Sequence, residues 1–441
     1  MFFDKDAETM PRAELEKLQL EKLKKTAVYC YENVKLYKDK FDKAGFDPHS
    51  IKELKDLQRI PFTTKEDFRD NYPFGMFAVP MKKIVRMHAS SGTTGKPTVV
   101  GYTKADLEMW SDCMARIVAA AGATEDDIVQ ICFGYGLFTG ALGLHYGLEK
   151  LGAAVVPSSS GNTEKTVMMM RDFGTTALVS TPSYALRIGE VMKEVGIKPE
   201  EIKLRLGLLG SEGATPEMRD QIEKSLHMFV TDNYGMSELM GPGVSGECTE
   251  RCGMHFNEDH FLPEIIDPAT GEVLPEGQSG ELVVTTLDKE GLPVLRYKTH
   301  DITSITYEKC RCGRTHARMM KPTGRTDDML KIRGVNIFPS QIESVIMVIP
   351  EIAPYYQLVV GREGSADNLE VKVELQDASL LTDYRNLEEL RSRIHHNLKT
   401  VLGISTKVSL VEPKSIERTA GKAKRVIDNR PKETATFSVE Q

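Results

Sequence analysis

Apolar positions Leu15, Leu18, Leu23, Val28 and Tyr31 recur among polar ones, so residues 11–46 read as helical. Ile84 to His88 and Thr98 to Tyr102 read as strands on either side of a Gly/Ser/Thr loop, and residues 104–121 as a helix. From Ile128 the pattern alternates. Strands are expected at Ile128–Phe133, Ala153–Pro157, Ala177–Ser180 and Leu204–Leu209. Helices are expected around Leu142–Leu151, Glu164–Asp172, Tyr184–Val195 and Pro216–Leu226. Strands alternating with helices predict parallel sheets flanked by helices. Near 260 the texture changes to short strands, Glu264–Ile266, Gly280–Thr286 and Leu295–Tyr297, joined by turns. A new pattern follows, with a helix from Ser340, strands at Tyr356–Val360, Leu369–Leu375 and Lys407–Val411, and a helix at Leu387–Leu402. The fold class expected is therefore α/β. A large N-terminal domain (1–324) holds the parallel sheets and a β-rich part from about 245. A small α+β C-terminal domain (325–441) follows.

A chain of 441 residues, 40% hydrophobic and 27% charged, can bury its core without disulfides. A net charge of −7 argues against a nucleic-acid partner. The start, Met1 to Asp6, lacks the apolar stretch of a secretory leader. Apolar runs fall short of the roughly 18 residues a membrane helix needs. Seven cysteines, an odd and low number, suit a reducing compartment, so a cytoplasmic location away from membranes is expected.

Ser90-Ser91-Gly92-Thr93-Thr94-Gly95-Lys96-Pro97 carries the strongest local signal. Glycines let backbone N–H groups approach an anion, and the hydroxyls and ammonium add donors. The spacing is not that of a Walker loop, and Pro97 stands where a magnesium-binding Ser/Thr would be, which argues against a kinase-type NTPase. Asp232-Asn233-Tyr234-Gly235-Met236-Ser237-Glu238 should lie at the C-terminal edge of the parallel sheet, with a turn at Gly235. Asp301, after a strand, suits ribose hydroxyls. Gly324-Arg325-Thr326-Asp327-Asp328 reads as a link between domains, and Arg418 to Arg425 as a basic run.

Cys248-x3-Cys252 and Cys310-x-Cys312, with His255 and His316 nearby, have the makings of a structural zinc site. The preferred set is Cys248, His255, Cys310 and Cys312, with Cys252 the alternate to His255. Cys30, Cys113 and Cys132 sit in apolar or helical contexts and read as core.

Taken together and in this order, these motifs resemble the adenylate-forming (acyl-CoA synthetase) superfamily. Within it the chain is most similar to the phenylacetate–CoA ligase family. The likeness runs from about residue 10 to 432 and includes Phe133–Gly140, Gly210–Ala214, Glu258-Asp259-His260-Phe261 and Gly334–Pro339. It implies ATP-dependent joining of an aryl or arylacetic acid, phenylacetate foremost, to coenzyme A through an acyl-adenylate, with AMP and pyrophosphate released. It further implies that Ser90, Ser91, Gly92, Thr93, Thr94 and Lys96 cradle phosphates and that Glu238 holds Mg²⁺. Tyr234 would pack on adenine beside Ser211, Glu212, Gly213, Ala214, Asn233, Gly235, Met236 and Ser237. Asp301 would take the ribose, Arg325 the ribose or phosphate, and Lys422 the carboxylate and α-phosphate, with Lys424 its rival. Asp327 matches a hinge about which the small domain turns. Tyr135, Gly136, Phe138 and Thr139 would line the acyl pocket, where aromatic and small residues suit a flat ring. A homodimer is expected by the same likeness. Another acid, another acceptor such as a carrier protein, or a non-catalytic binder remain the alternatives.

Overall fold

The computed structural model describes residues 1–90, 97–333, 335–363, 366–382, 384–418 and 423–430. It divides into two compact units. One comprises Met1–Gly213 with Arg219–Thr326; the other comprises Ala214–Met218 with the described residues from Asp327 onward.

The first unit is built on a sheet that is nine-stranded among the described residues. Phe229–Met236 lies inside it. On one side it runs parallel to Leu206–Gly210, and Ala177–Ser180, Ile128–Ile131 and Ala154–Val156 continue the sheet in the same sense. Every residue of Ala177–Ser180 and Leu206–Gly210 is buried, as expected for parallel strands covered on both faces. On its other side Tyr234–Met236 pairs antiparallel with Gly241–Glu247, which leads on to Met254–Phe256, Arg318–Met319 and Ile305–Thr306. The sheet therefore changes sense across the strand Phe229–Met236. The strands Phe229–Met236 and Gly241–Glu247 were not expected from the sequence, and Gly235 lies within a strand rather than at a turn.

A second, antiparallel sheet is made by Phe261–Ile266, Gly280–Thr286, Tyr297–Thr303 and Gly324–Arg325. Asp301 thus stands inside a strand, not after one. The helix Lys104–Ala120 begins with a capping box in which Thr103 and Asp106 satisfy each other's backbone N–H groups. The Asp106 carboxylate also accepts from the N–H groups of Glu290 and Gly291 at 2.8 and 2.9 Å. This fixes the turn 288–291 to the start of that helix.

Residues 11–46 form two helices rather than one, Arg12–Asn33 and Lys35–Ala44. Val34 between them is extended (φ −122°, ψ 112°) and its side chain is buried, so tertiary packing overrides helical spacing there. Both helices seat on chain from far along the sequence. Gln19 Nε2 donates to Glu258 O at 2.9 Å, Thr26 Oγ1 to Leu287 O at 2.6 Å, and Leu295 N to Tyr37 Oη at 3.0 Å.

The second unit packs the helices Pro339–Ile346 and Tyr384–Leu402 on a sheet of Lys407–Val411, Ala366–Leu375, Ile352–Glu363 and Val426–Asp428. Leu358, Val371, Val373, Ile394 and Leu398 form its core. Arg418 grips the buried Glu374 carboxylate with both guanidinium ends. No described helix is long and apolar enough to cross a membrane.

Candidate active site

The change of sense across the strand Phe229–Met236 builds the first part of the site. Parallel pairing ends at Asn233, whose side chain donates to Leu209 O at 2.7 Å and so stays with the parallel strands. The strand then runs on to Met236 beyond the end of its parallel neighbour, and ligands of open α/β sheets bind at such carboxyl ends. Gly235 lets this strand come close to its antiparallel neighbour: a Cβ there would lie 1.9 Å from Gly241 O. Tyr234 Oη donates to Asp301 Oδ2 at 2.5 Å, and Arg325 Nη1 donates to Asp301 Oδ1 at 2.8 Å. Burial first, and then the Asp301 charge, pushes the Tyr234 phenol well above its usual range, so it remains a donor. The structure thus joins three motifs from distant parts of the chain around one carboxylate.

Ser211 and Glu212 follow the parallel strand Leu206–Gly210, with Ser211 at φ +68°. Glu212 accepts from Ser183 Oγ at 2.7 Å and from Ser183 N at 3.3 Å, at the start of the helix Pro182–Glu194. Gly213 ends the first stretch of the first unit, while Ala214 and Asp327 belong to the second. Ser90 is held by Thr98 from both sides: its N–H donates to Thr98 O and its Oγ accepts from Thr98 N, each at 2.9 Å. Ser91, Gly92, Thr93, Thr94, Lys96 and Lys422 lie outside the described residues.

Glu238 is buried just beyond Met236 and Ser237. Two of its neighbours escaped the sequence reading. Tyr297 hydrogen-bonds to it and is raised far above the usual phenol range by burial and then by that charge. The Lys289 ammonium is buried over the Tyr102 ring, 5.5 Å from its centroid, with no hydrogen-bond partner among the described residues. Burial pulls it down to about 8 against the opposing charges of Asp106 and Glu238. In sequence Asp288-Lys289-Glu290-Gly291 is an ordinary polar turn, so no local signal marks it.

The acyl-pocket candidates lie on the segment 135–139. Tyr135 Oη is 3.0 Å from His145 Nδ1, and Thr139 Oγ1 is 3.3 Å from Ser237 Oγ. Leu137 and Phe138 are exposed, and Gly136 has open space around it.

A separate cluster gathers Cys248, His255, Cys310 and Cys312, whose ligand atoms all lie within 4.8 Å of one another. Cys248 and Cys310 Sγ are 3.7 Å apart, and Cys312 Sγ is 3.4 Å from His255 Nε2. Tetrahedral zinc with about 2.3 Å bonds to sulfur and 2.0–2.1 Å to nitrogen gives edges of roughly 3.5–3.8 Å. His255 Nδ1 faces His316 O at 3.3 Å, the backbone partner that aims a ligating imidazole. Hydrogen bonds from Cys248 and His255 draw Cys312 down to about 2, while the bond to Cys312 and burial drive Cys248 up. Alone, the thiols ionise at one another's expense, whereas a divalent cation would keep all three as thiolates. Cys252 is exposed and reaches Cys310 at 3.4 Å but is not among the four converging groups.

The chain is similar to known proteins. A family model described as AMP-binding enzyme matches residues 14–287, and one described as AMP-binding enzyme C-terminal domain matches 334–430. The chain is 50% identical to the phenylacetate–coenzyme A ligase of Thermus thermophilus, over 98% of this chain and all of that one. It is 51% identical to that of Aromatoleum evansii, over 95% and 96% of the two chains. Among solved structures it is similar to a 2-hydroxyisobutyryl-CoA ligase in the postadenylation state (TM-score 0.91, 32% identity, covering 97% of this chain and 92% of that one). The chain belongs to the AMP-binding, adenylate-forming enzymes and, among them, to the phenylacetate–coenzyme A ligase family.

Proposed function

We propose that this protein is an AMP-forming acid–thiol ligase that joins phenylacetate, or a close aryl or arylacetic acid, to coenzyme A at the expense of ATP. The observation that carries the reading is the Asp301 carboxylate held between Tyr234 and Arg325 at the end of the parallel strands. It supplies two acceptor oxygens for ribose hydroxyls, with an aromatic ring beside them for adenine. In the first half-reaction a carboxylate oxygen of the acid attacks the α-phosphorus of ATP and pyrophosphate leaves. In the second the coenzyme A thiolate attacks the acyl carbonyl and AMP leaves.

Negative charge grows on the phosphate oxygens during the first displacement, so preorganised donors lower its barrier. The hydroxyls and Lys96 of the loop 90–96 suit the β- and γ-phosphates, and Lys422 suits the α-phosphate and the incoming carboxylate. Glu238 would hold Mg²⁺, which when bound offsets phosphate charge. Tyr135, Gly136, Phe138 and Thr139 would face the aromatic ring. Asp327 would let the second unit turn between the half-reactions, since a hinge needs few residues to change φ/ψ. The cluster of Cys248, His255, Cys310 and Cys312 would hold a structural zinc that ties the chain around 248–255 to that around 310–312 and takes no part in the chemistry. A homodimer is carried over from the family likeness and is read by light scattering.

The test is pyrophosphate release with ATP, Mg²⁺ and coenzyme A across phenylacetate, hydroxyphenylacetate, indoleacetate and benzoate, with the mass of each product. One strong responder giving its acyl-CoA is expected. Pyrophosphate without a coenzyme A adduct would move the acceptor elsewhere, and none with any acid would remove the reading.

A further inference from the structure

Trp110 is the only tryptophan of the chain, and its side chain is buried. Its indole N–H donates to Pro242 O at 2.7 Å. The ring stacks on Tyr102, with 5.0 Å between centroids and 12° between planes. Its outer edge is wedged against two glycines. A Cβ on Gly241 would lie 2.5 Å from Trp110 Cζ2 and 2.8 Å from Thr139 Cβ, and one on Gly143 would lie 2.6 Å from the same Cζ2. Thr139 in turn meets Ser237. The indole edge is therefore one glycine away from the Thr139–Ser237 contact. The same residue lines an open cleft of about 320 Å³ whose walls mix apolar Leu107, Leu142 and Tyr146 with charged Arg86, Lys104 and Glu108.

We propose that Trp110 is the partition that ends the acyl pocket and limits the length of acid the enzyme accepts. The inference rests on the ligase reading above, with the acyl group against Tyr135–Thr139. Glycines at 143 and 241 let the indole come close enough to back the pocket floor. A longer arylalkyl chain would run into that edge. An apolar pocket discriminates single methylenes by roughly 10- to 200-fold.

Two measurements test this. In Trp110→Leu, which keeps an apolar wall but shortens it, the ratio of kcat/KM for phenylbutyrate to that for phenylacetate should rise at least about ten-fold in pyrophosphate release. In the unaltered protein the sole indole reports on its own surroundings. Its emission should change when phenylacetate is added to the ATP-bound enzyme without coenzyme A, and stay fixed with acetate. This second measurement stands if the variant does not fold. An unchanged ratio in a folded variant overturns the proposal and leaves the ligase reading intact. An emission unmoved by an acid that supports pyrophosphate release does the same. No pyrophosphate with any aromatic acid overturns both.

Discussion

Tyr234 donates its phenol hydrogen to Asp301 across 2.5 Å, while Arg325 takes the other oxygen of the same carboxylate. A hydrogen bond to a charged group contributes roughly 1.5–3 kcal/mol, so this pair fixes where the carboxylate points before any nucleotide arrives. Tyr234→Phe should raise KM for ATP by about ten-fold or more and move kcat less. Asp301→Asn should cost more. Steady-state pyrophosphate exchange reads both, and an unchanged KM in Tyr234→Phe would remove Asp301 positioning from the account.

Lys422→Ala should abolish adenylation yet leave thioester formation from a supplied acyl-adenylate. The reason is electrostatic: the ammonium is needed where phosphate charge develops, and the second step starts after that charge has gone with pyrophosphate. Equal loss in both half-reactions would contradict the assignment and bring Lys424 forward.

Metal analysis should find about one zinc per chain, as a single tetrahedral set implies. Cys310→Ser should lose it and a chelator should lower Tm. Cys252→Ser should keep it, because Cys252 reaches Cys310 but lies outside the converging four. Metal retained in His255→Ala and lost in Cys252→Ser would reverse the ligand choice.

Arg116 and Asp259 form a buried ion pair at 2.7 Å, and Arg116 also reaches Asp4 at 3.0 Å. Burial alone would raise the Asp259 carboxyl. The charges of His260 and Arg116 outweigh it and hold the group well below the usual carboxylate range. A depressed folded-state value stabilises the protein above the unfolded value of about 4 and loses that stability as pH falls towards the folded one. Arg116→Met, which leaves the buried carboxylate with His260 alone, should cost up to about 3–5 kcal/mol near neutrality. It should also flatten the acid limb of a plot of urea midpoint against pH. A parallel acid limb in both proteins would show that this pair does not govern acid stability.

The alternating half of the fold was readable because each of its parallel strands is a short apolar run set off by amphipathic helices. Ala177–Ser180 and the helix Pro216–Leu226 fall where the pattern puts them. Gly241–Glu247 was not readable. Its Gly-Pro-Gly-Val-Ser-Gly-Glu has no alternation, and it is a strand because Tyr234–Met236 and Met254–Phe256 pair with it. Pairing imposed from both sides leaves no local trace. The site shows the same division. The cysteine and histidine spacing announced a ligand set, since those side chains carry their chemistry in their identity. Tyr234 and Asp301 were joined only through a family resemblance, and Lys289 not at all, because only the folded backbone brings a polar turn beneath Glu238.

The N-terminal helices rest on partners made much later. Gln19 meets Glu258 across 239 positions and Thr26 meets Leu287 across 261. On the ribosome, at roughly 5–20 residues per second, the first helix waits on the order of 12–50 s for the surface that completes it. Until then Leu15 and Leu23, fully buried in the finished molecule, face water or a chaperone. The beginning of this chain is therefore among the last pieces of the first unit to settle, and a nascent chain stalled before residue 258 would leave that helix without a seat.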